Sequence, residues 1–233
     1  MIVYGRNPVH EVIRGPRPVY RIWATKNAAR EPWITGSRVP VDVTGAEEIE
    51  QRCASRDHQG ICAEVGAFHY SAADELLTAE KPLIVVLDQI QDPQNLGAIC
   101  RSAECAGATG VVIGERRSAE VTPAVCKASA GAVEHLPIAQ VRNIADFLGE
   151  AKSAGIWCYG ADGDAPLSYE EVDFEGPVAL VLGSEGRGLR PRVASACDVL
   201  VAIPLRGRIE SLSVGAAAAV LLYAAASKSE ASA

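Results

Sequence analysis

Three short stretches of this chain hold the side chains best suited to chemistry. In LDQIQDPQNLGAICRSAECAG, five residues separate Asn95 from Arg101; in ALVLGSEGRGLRPRV, Gly183, Gly186 and Gly188 surround Glu185; in VAIPLRGRIESLSV, Arg206 and Arg208 flank a glycine ahead of Ser211 and Ser213. Glycines free the backbone to approach a planar or anionic ligand closely. Arg206 and Arg208 can meet phosphate. Arg101 falls among Ala, Ile, Cys and Ser with few carboxylate neighbours beyond Glu104. Each residue also has a plainer reading: Asn95 and Ser211 as helix N-caps, Arg101 as a surface cation, Glu185 as a solvated loop acid.

The elements that must position these groups can be read from hydrophobic periodicity. A strand from Leu83 to Leu87 ends at Asp88, Asp92-Pro93 turns, Asn95 caps a helix from Leu96 to Ala106, and Gly107 stops it. A buried strand leads into Gly183, and another, Val199 to Pro204, leads into the Arg-Gly-Arg loop before a long Ala-rich helix. From Pro82 onward the apolar runs LIVVLD, GVVIG, IWCYGA, VALVLG and VLVAIPL alternate with helical stretches. That pattern predicts a mostly parallel sheet covered by helices on both faces, with all three clusters at strand ends, where ligands bind in open α/β sheets. Up to Gly66 the chain reads as a smaller α/β unit, with helices at Asn7–Arg14 and Ala46–Ala54 and strands at Val19–Ala24 and Gly60–Val65. Residues 67–81 read as a linker with a helical turn at Ala73–Leu77, and 82–233 as the larger domain.

Several function classes are excluded. No GxGxxG follows a strand and no GxxxxGK[ST] occurs, which argues against dinucleotide and P-loop sites; GxSxG and HExxH are absent too. The longest near-continuous apolar run, Val214 to Ala226, is too short to cross a bilayer, and the first residues lack a secretory signal, so a cytoplasmic protein is expected. Seven scattered cysteines without CxxC predict buried free thiols and no metal centre. The chain is 48% hydrophobic and carries −7 overall, but its first 30 residues hold six basic groups against the single acid Glu11. That +5 stretch, in a chain otherwise at −12, is either a nucleic-acid contact surface or a solvated helix face.

Taken in order, the three clusters resemble the motifs of the SpoU/TrmH family of S-adenosylmethionine-dependent RNA ribose 2'-O-methyltransferases: Asn95 and Arg101; Gly183, Glu185 and Leu189; and IPLRGRIESLSV. At the N-terminus, YGRNPVHEVIRG and DHQGICAEV resemble the ribosomal-protein-L30e-like substrate-binding domain of the branch that methylates a guanosine of 23S ribosomal RNA. The resemblance implies a SPOUT α/β domain closed by a trefoil knot behind that small domain, an RNA substrate and a homodimer. It assigns cofactor contacts to Gly183, Ile203 and Leu212, and catalysis to Asn95, Arg101, Glu185, Ser211 and Ser213. A guanidinium, protonated up to a pKa above about 12, is a poor base. The expected role of Arg101 is therefore to hold a phosphate and orient the ribose hydroxyl, with Asn95 and Glu185 fixing it. Ser213 departs from the family, which has Asn there. The alternatives are a tRNA ribose methyltransferase and a catalytically impaired RNA-binding or ribosome-modifying homologue.

Overall fold

The computed structural model describes residues 1–231; the last two residues of the expected 82–233 domain lie outside them. The chain builds two sheets. The first has strand order β1-β4-β2-β3, from β1 (Ile2–Tyr4), β2 (Val19–Ala24), β3 (Val41–Val43) and β4 (Ile61–Val65). β4 pairs antiparallel with β1 and β2, and β2 pairs parallel with β3. Helices α1 (Arg6–Arg14), α2 (Pro32–Thr35) and α3 (Ala46–Cys53) connect them. In α1, Pro8, Val9 and Val12 fall on one stripe and are buried, which is the reason this short segment holds as a helix.

The second sheet has order β10-β8-β9-β5-β6-β7 and every pairing in it is parallel. Its strands are β5 (Leu83–Asp88), β6 (Gly110–Gly114), β7 (Ile138–Val141), β8 (Trp157–Ala161), β9 (Val178–Gly183) and β10 (Val199–Val201). β5, β6 and β9 are buried almost throughout, as expected for strands apolar on both faces. The other helices are α4 (Ala73–Leu77), α5 (Pro93–Cys105), α6 (Pro123–Ala128), α7 (Ile144–Ser153), α8 (Pro191–Ala194) and α9 (Val214–Ala231). Buried Ala218, Leu221, Leu222 and Ala225 place α9 in the core, leaving Tyr223 exposed.

The sheets share one hydrophobic core that runs from Val9 and Val12 to Val125 and Val133. A buried ion pair crosses the same seam: Arg17 donates through Nε to Glu134 at 2.8 Å and through Nη2 to the other carboxylate oxygen. Burial opposes the charge on Arg17, but hydrogen bonding and attraction from Glu134 overcome it and raise its pKa. His135 meets Glu11 at 2.8 Å beside it. Phe68 and Ser71 lie along this seam, whereas Leu76 of α4 packs against the large sheet. The Tyr70 hydroxyl accepts from the Val121 amide at 2.9 Å, and Ser71 bridges to Ala139.

Three expected boundaries move. Helix α5 starts at Pro93, because Asp92 caps it by accepting from the Gln94 amide at 2.9 Å and proline suits the first helical position. Asn95 is thus in the first turn and does not cap. The last strand ends at Val201, not Pro204, because Ala202 leaves β8 and bridges to Ser168 instead. Helix α9 begins at Val214, so Ser213 is its cap and Ser211 stands outside it: Ser213 Oγ accepts from the Ala216 amide at 3.3 Å.

Candidate functional site

Because all six strands of the large sheet are parallel, their carboxyl ends form one edge, and the loops after β8, β9 and β10 converge there. The loop after β9 is a tight reversal in which the Ser184 amide donates to Gly188 O at 3.1 Å and the Gly188 amide returns to Ser184 O at 2.9 Å. Gly188 sits at φ +63, a conformation that costs other residues strain. A Cβ on Gly183 would fall 2.1 Å from the Gly188 carbonyl carbon and 2.3 Å from the Leu189 nitrogen. The close approach that glycine permits at this point is therefore to its own loop. Asp88, buried at the end of β5, secures the exit of the loop by accepting from the Arg190 amide at 2.9 Å and from Arg190 Nε at 2.8 Å.

These loops enclose a cleft of about 380 Å³. Gly183, Glu185, Ile203, Ser211 and Leu212 line it, which brings residues of the second and third clusters together. Ser213 is absent from its wall, its hydroxyl being used by the helix. Asn95 and Arg101 also stay outside the cleft. Arg101 is exposed on α5 and makes no ion pair with Glu104, Glu185 or any other described residue.

Sequence reasoning missed two contributors. One is the loop after β8, where Asp162 and Asp164 line the cleft and Asp162 Oδ1 accepts from the Asp164 amide at 3.0 Å. The polar ADGD following an apolar strand was its available signal. The other is the Asp88–Arg190 bolt, whose partners are 102 residues apart. Asp162, Asp164, Glu185 and Glu210 outnumber Arg187 around the cleft, which favours a cationic ligand. Its apolar wall comes from Leu182, Val201, Ile203, Leu205, Leu212 and Val214.

Burial pushes Cys100, Cys158 and Cys197 up to about 12, so these thiols stay protonated at neutral pH. Among the described residues no group of three His, Cys, Asp or Glu could hold a metal ion, and no helix is long and apolar enough to cross a membrane.

An open parallel sheet with a glycine-loop cleft on its carboxyl edge defines an α/β ligand-binding enzyme. Residues 82–223 match the model of the SpoU rRNA Methylase family, and residues 2–71 match that of RNA 2'-O ribose methyltransferase substrate binding. The chain is 38% identical to the putative TrmH family tRNA/rRNA methyltransferase YacO of Bacillus subtilis, over 95% of this chain and 93% of that one. It is 33% identical to the 23S rRNA (guanosine-2'-O-)-methyltransferase RlmB of Shewanella oneidensis, over 96% of each. Its fold matches the SpoU methyltransferase AviRb of Streptomyces viridochromogenes, solved with AdoMet, at a TM-score of 0.81 and 24% identity, covering 98% of this chain and 89% of that one. The chain belongs to the SpoU rRNA methylase family and is an RNA methyltransferase.

Proposed function

We propose that this protein transfers a methyl group from S-adenosylmethionine to the ribose 2'-hydroxyl of a guanosine in 23S ribosomal RNA, in the cytoplasm. Residues 82–233 perform the transfer, with the C-terminal segment threaded as the family resemblance implies; residues 1–66 hold the RNA, and 67–81 join the two. The observation that carries this reading is the cleft at Gly183, Ile203 and Leu212.

Its residues fit the cofactor. The adenine needs apolar walls and nearby main chain, which Leu182, Ile203 and Leu212 offer; the cationic sulfonium and ammonium groups need carboxylates, which Asp162, Asp164, Glu185 and Glu210 offer. When bound, S-adenosylmethionine supplies an electrophilic methyl carbon on positive sulfur. The protein's task is then mostly positioning. Arg101 binds a phosphate beside the reacting ribose and aligns the hydroxyl; neither Asn95 nor Glu185 contacts its guanidinium within one protomer, so Glu185 steadies it only across a dimer. Ser211 stands at the lip of the cleft, and Ser213 sets the start of α9.

Arg101 and Asn95 lie outside the cleft of their own chain, which supports a homodimer in which α5 of one protomer faces the cleft of its partner. The exposed face that α5 offers, with Gln94, Ala98, Arg101 and Cys105, adjoins α9 near Gly215.

Isothermal titration with S-adenosylmethionine, joined to mapping of 2'-O-methyl sites in RNA from cells with and without the gene, tests the reading. Expected are saturable binding and the loss of one ribosomal site. Absence of binding defeats the enzyme reading, and loss of a tRNA site instead moves the substrate. A monomer by light scattering at micromolar concentration defeats the dimer.

A further inference from the structure

The part of the carboxyl edge beyond the cleft holds a second recess, of about 250 Å³, over the ends of β5, β6 and β7. Arg116, Arg117, Arg142 and Arg190 line it together with Asp88 and Ser118. Only β5 separates β6 from β9, whose loop lines the cleft. At about 4.8 Å between neighbouring strands, the two openings are roughly 10 Å apart along the edge. That is about three nucleotides of stacked strand at about 3.4 Å each.

Two of these four arginines carry uncompensated charge. Arg116 and Arg117 are exposed and have no ion pair among the described residues, and Arg142 reaches Glu115 only at 4.0 Å, with both side chains largely in solvent. Arg190 is anchored on Asp88 at 2.7 Å through Nη2, yet its side chain remains 47% exposed. A second observation is independent of charge: Ser118 Oγ is buried without a hydrogen-bond partner. Leaving a buried hydroxyl unsatisfied is unfavourable, and a ligand oxygen accepting from it removes that cost. Several guanidinium groups and one idle hydroxyl donor around a small cavity are the complement of a phosphate.

We propose that this recess binds a phosphate of the RNA backbone, a few nucleotides from the one that is methylated. Ser118 donates to a phosphate oxygen, and Arg116, Arg117 and Arg142 supply the charge. The inference rests on the reading of this chain as an RNA methyltransferase and adds a subsite that fixes the register of the strand.

The test uses the full-length protein and a fluorescently labelled fragment of 23S ribosomal RNA that carries the mapped methylation site, titrated between about 50 and 200 mM salt. The double variant Arg116→Ala with Arg117→Ala is expected to bind the transcript at least about tenfold more weakly, with the slope of log affinity against log salt reduced by about 0.7 to 0.9 for each phosphate that the variant no longer neutralises. S-adenosylmethionine binding stays unchanged. Ser118→Ala is expected to weaken RNA binding about threefold while holding or raising the melting temperature, because it removes an unsatisfied group. A purely structural serine lowers both. Unchanged RNA affinity and salt slope in the double variant overturn the proposal. So does an equal loss from Arg192→Ala, an arginine paired with Asp146 outside the recess, because diffuse charge is then sufficient. RNA binding is read separately from methyl transfer, so a wild-type protein that binds the transcript but ignores S-adenosylmethionine defeats the enzyme reading alone.

Discussion

The first 30 residues carry the basic excess of the chain, yet Arg6, Arg14, Arg17 and Arg21 are each engaged by a carboxylate: Glu31, Glu11, Glu134 and Asp42. The region from residue 82 onward is acidic, yet it exposes Arg101, Arg116, Arg117, Arg187, Arg206 and Arg208 with no ion pair among the described residues. A surface for a polyanion is made by cations left unpaired after folding. Net charge counts paired and unpaired groups alike, and of the six basic side chains in the first 30 residues Lys26 and Arg30 are the ones left exposed without an ion pair for contact with RNA. Arg17 is the extreme case, being almost wholly buried and serving the seam between the two sheets.

The contrast can be broken most directly at its two ends. On the unpaired side, Arg101→Ala is expected to slow methyl transfer by about a thousandfold, the upper range for removing one preorganised charge-stabilising group, with S-adenosylmethionine affinity by calorimetry within about twofold. Equal loss of both would falsify the positioning role. On the paired side, Arg17→Ala strands the buried Glu134 carboxylate and is expected to cost about 3 kcal/mol or more in urea unfolding, where the removal of an exposed partner costs far less.

Smaller effects sharpen the comparison. Arg6→Ala and Arg21→Ala remove half-exposed ion pairs and are expected to cost under about 1 kcal/mol each, with RNA affinity within about twofold. A tenfold loss of RNA binding from either would show that pairing with a carboxylate does not withdraw these arginines from RNA. Thiols give a last probe present in both regions, since burial raises Cys62 beside β1 and Cys100 in α5 to about 12. An unfolded thiol ionises near 8.5, so stability is unaffected below that pH and falls as pH rises toward 12, by about 0.8 kcal/mol per thiol at pH 9. Cys62→Ala and Cys100→Ala should each flatten the decline in urea midpoint between pH 8 and pH 10, and unaltered slopes would count against their burial as neutral thiols.

Much of the large sheet was legible. β5, β6, β8 and β9 fall on the apolar runs that predict them, because strands buried on both faces must be apolar at every position. The short edge strands β1 and β3 were not, since three residues carry too little periodicity to register. Within the site, Gly183, Glu185, Ile203, Ser211 and Leu212 share one cleft, a convergence that the chain path after β9 and β10 decides. The capping roles went astray by a few residues. Asp92 and Ser213 took them in place of Asn95 and Ser211, because a cap is decided by which side chain reaches a free amide once the helix start is set. Ser213 therefore has a structural occupation as the cap of α9.

Sequence by itself determined the family, the α/β class, the glycine loop after a buried strand and the absence of thiol or dinucleotide motifs, since each is written in neighbouring residues. Tertiary structure alone decided which charges are neutralised and which remain available. Arg17 meets Glu134 across 117 positions and Arg190 meets Asp88 across 102, and the same folding leaves Arg101, Arg116 and Arg117 without ion-pair partners among the described residues. The reason is physical: periodicity and capping act over a few residues, whereas an ion pair depends only on distance in space, which the chain path sets.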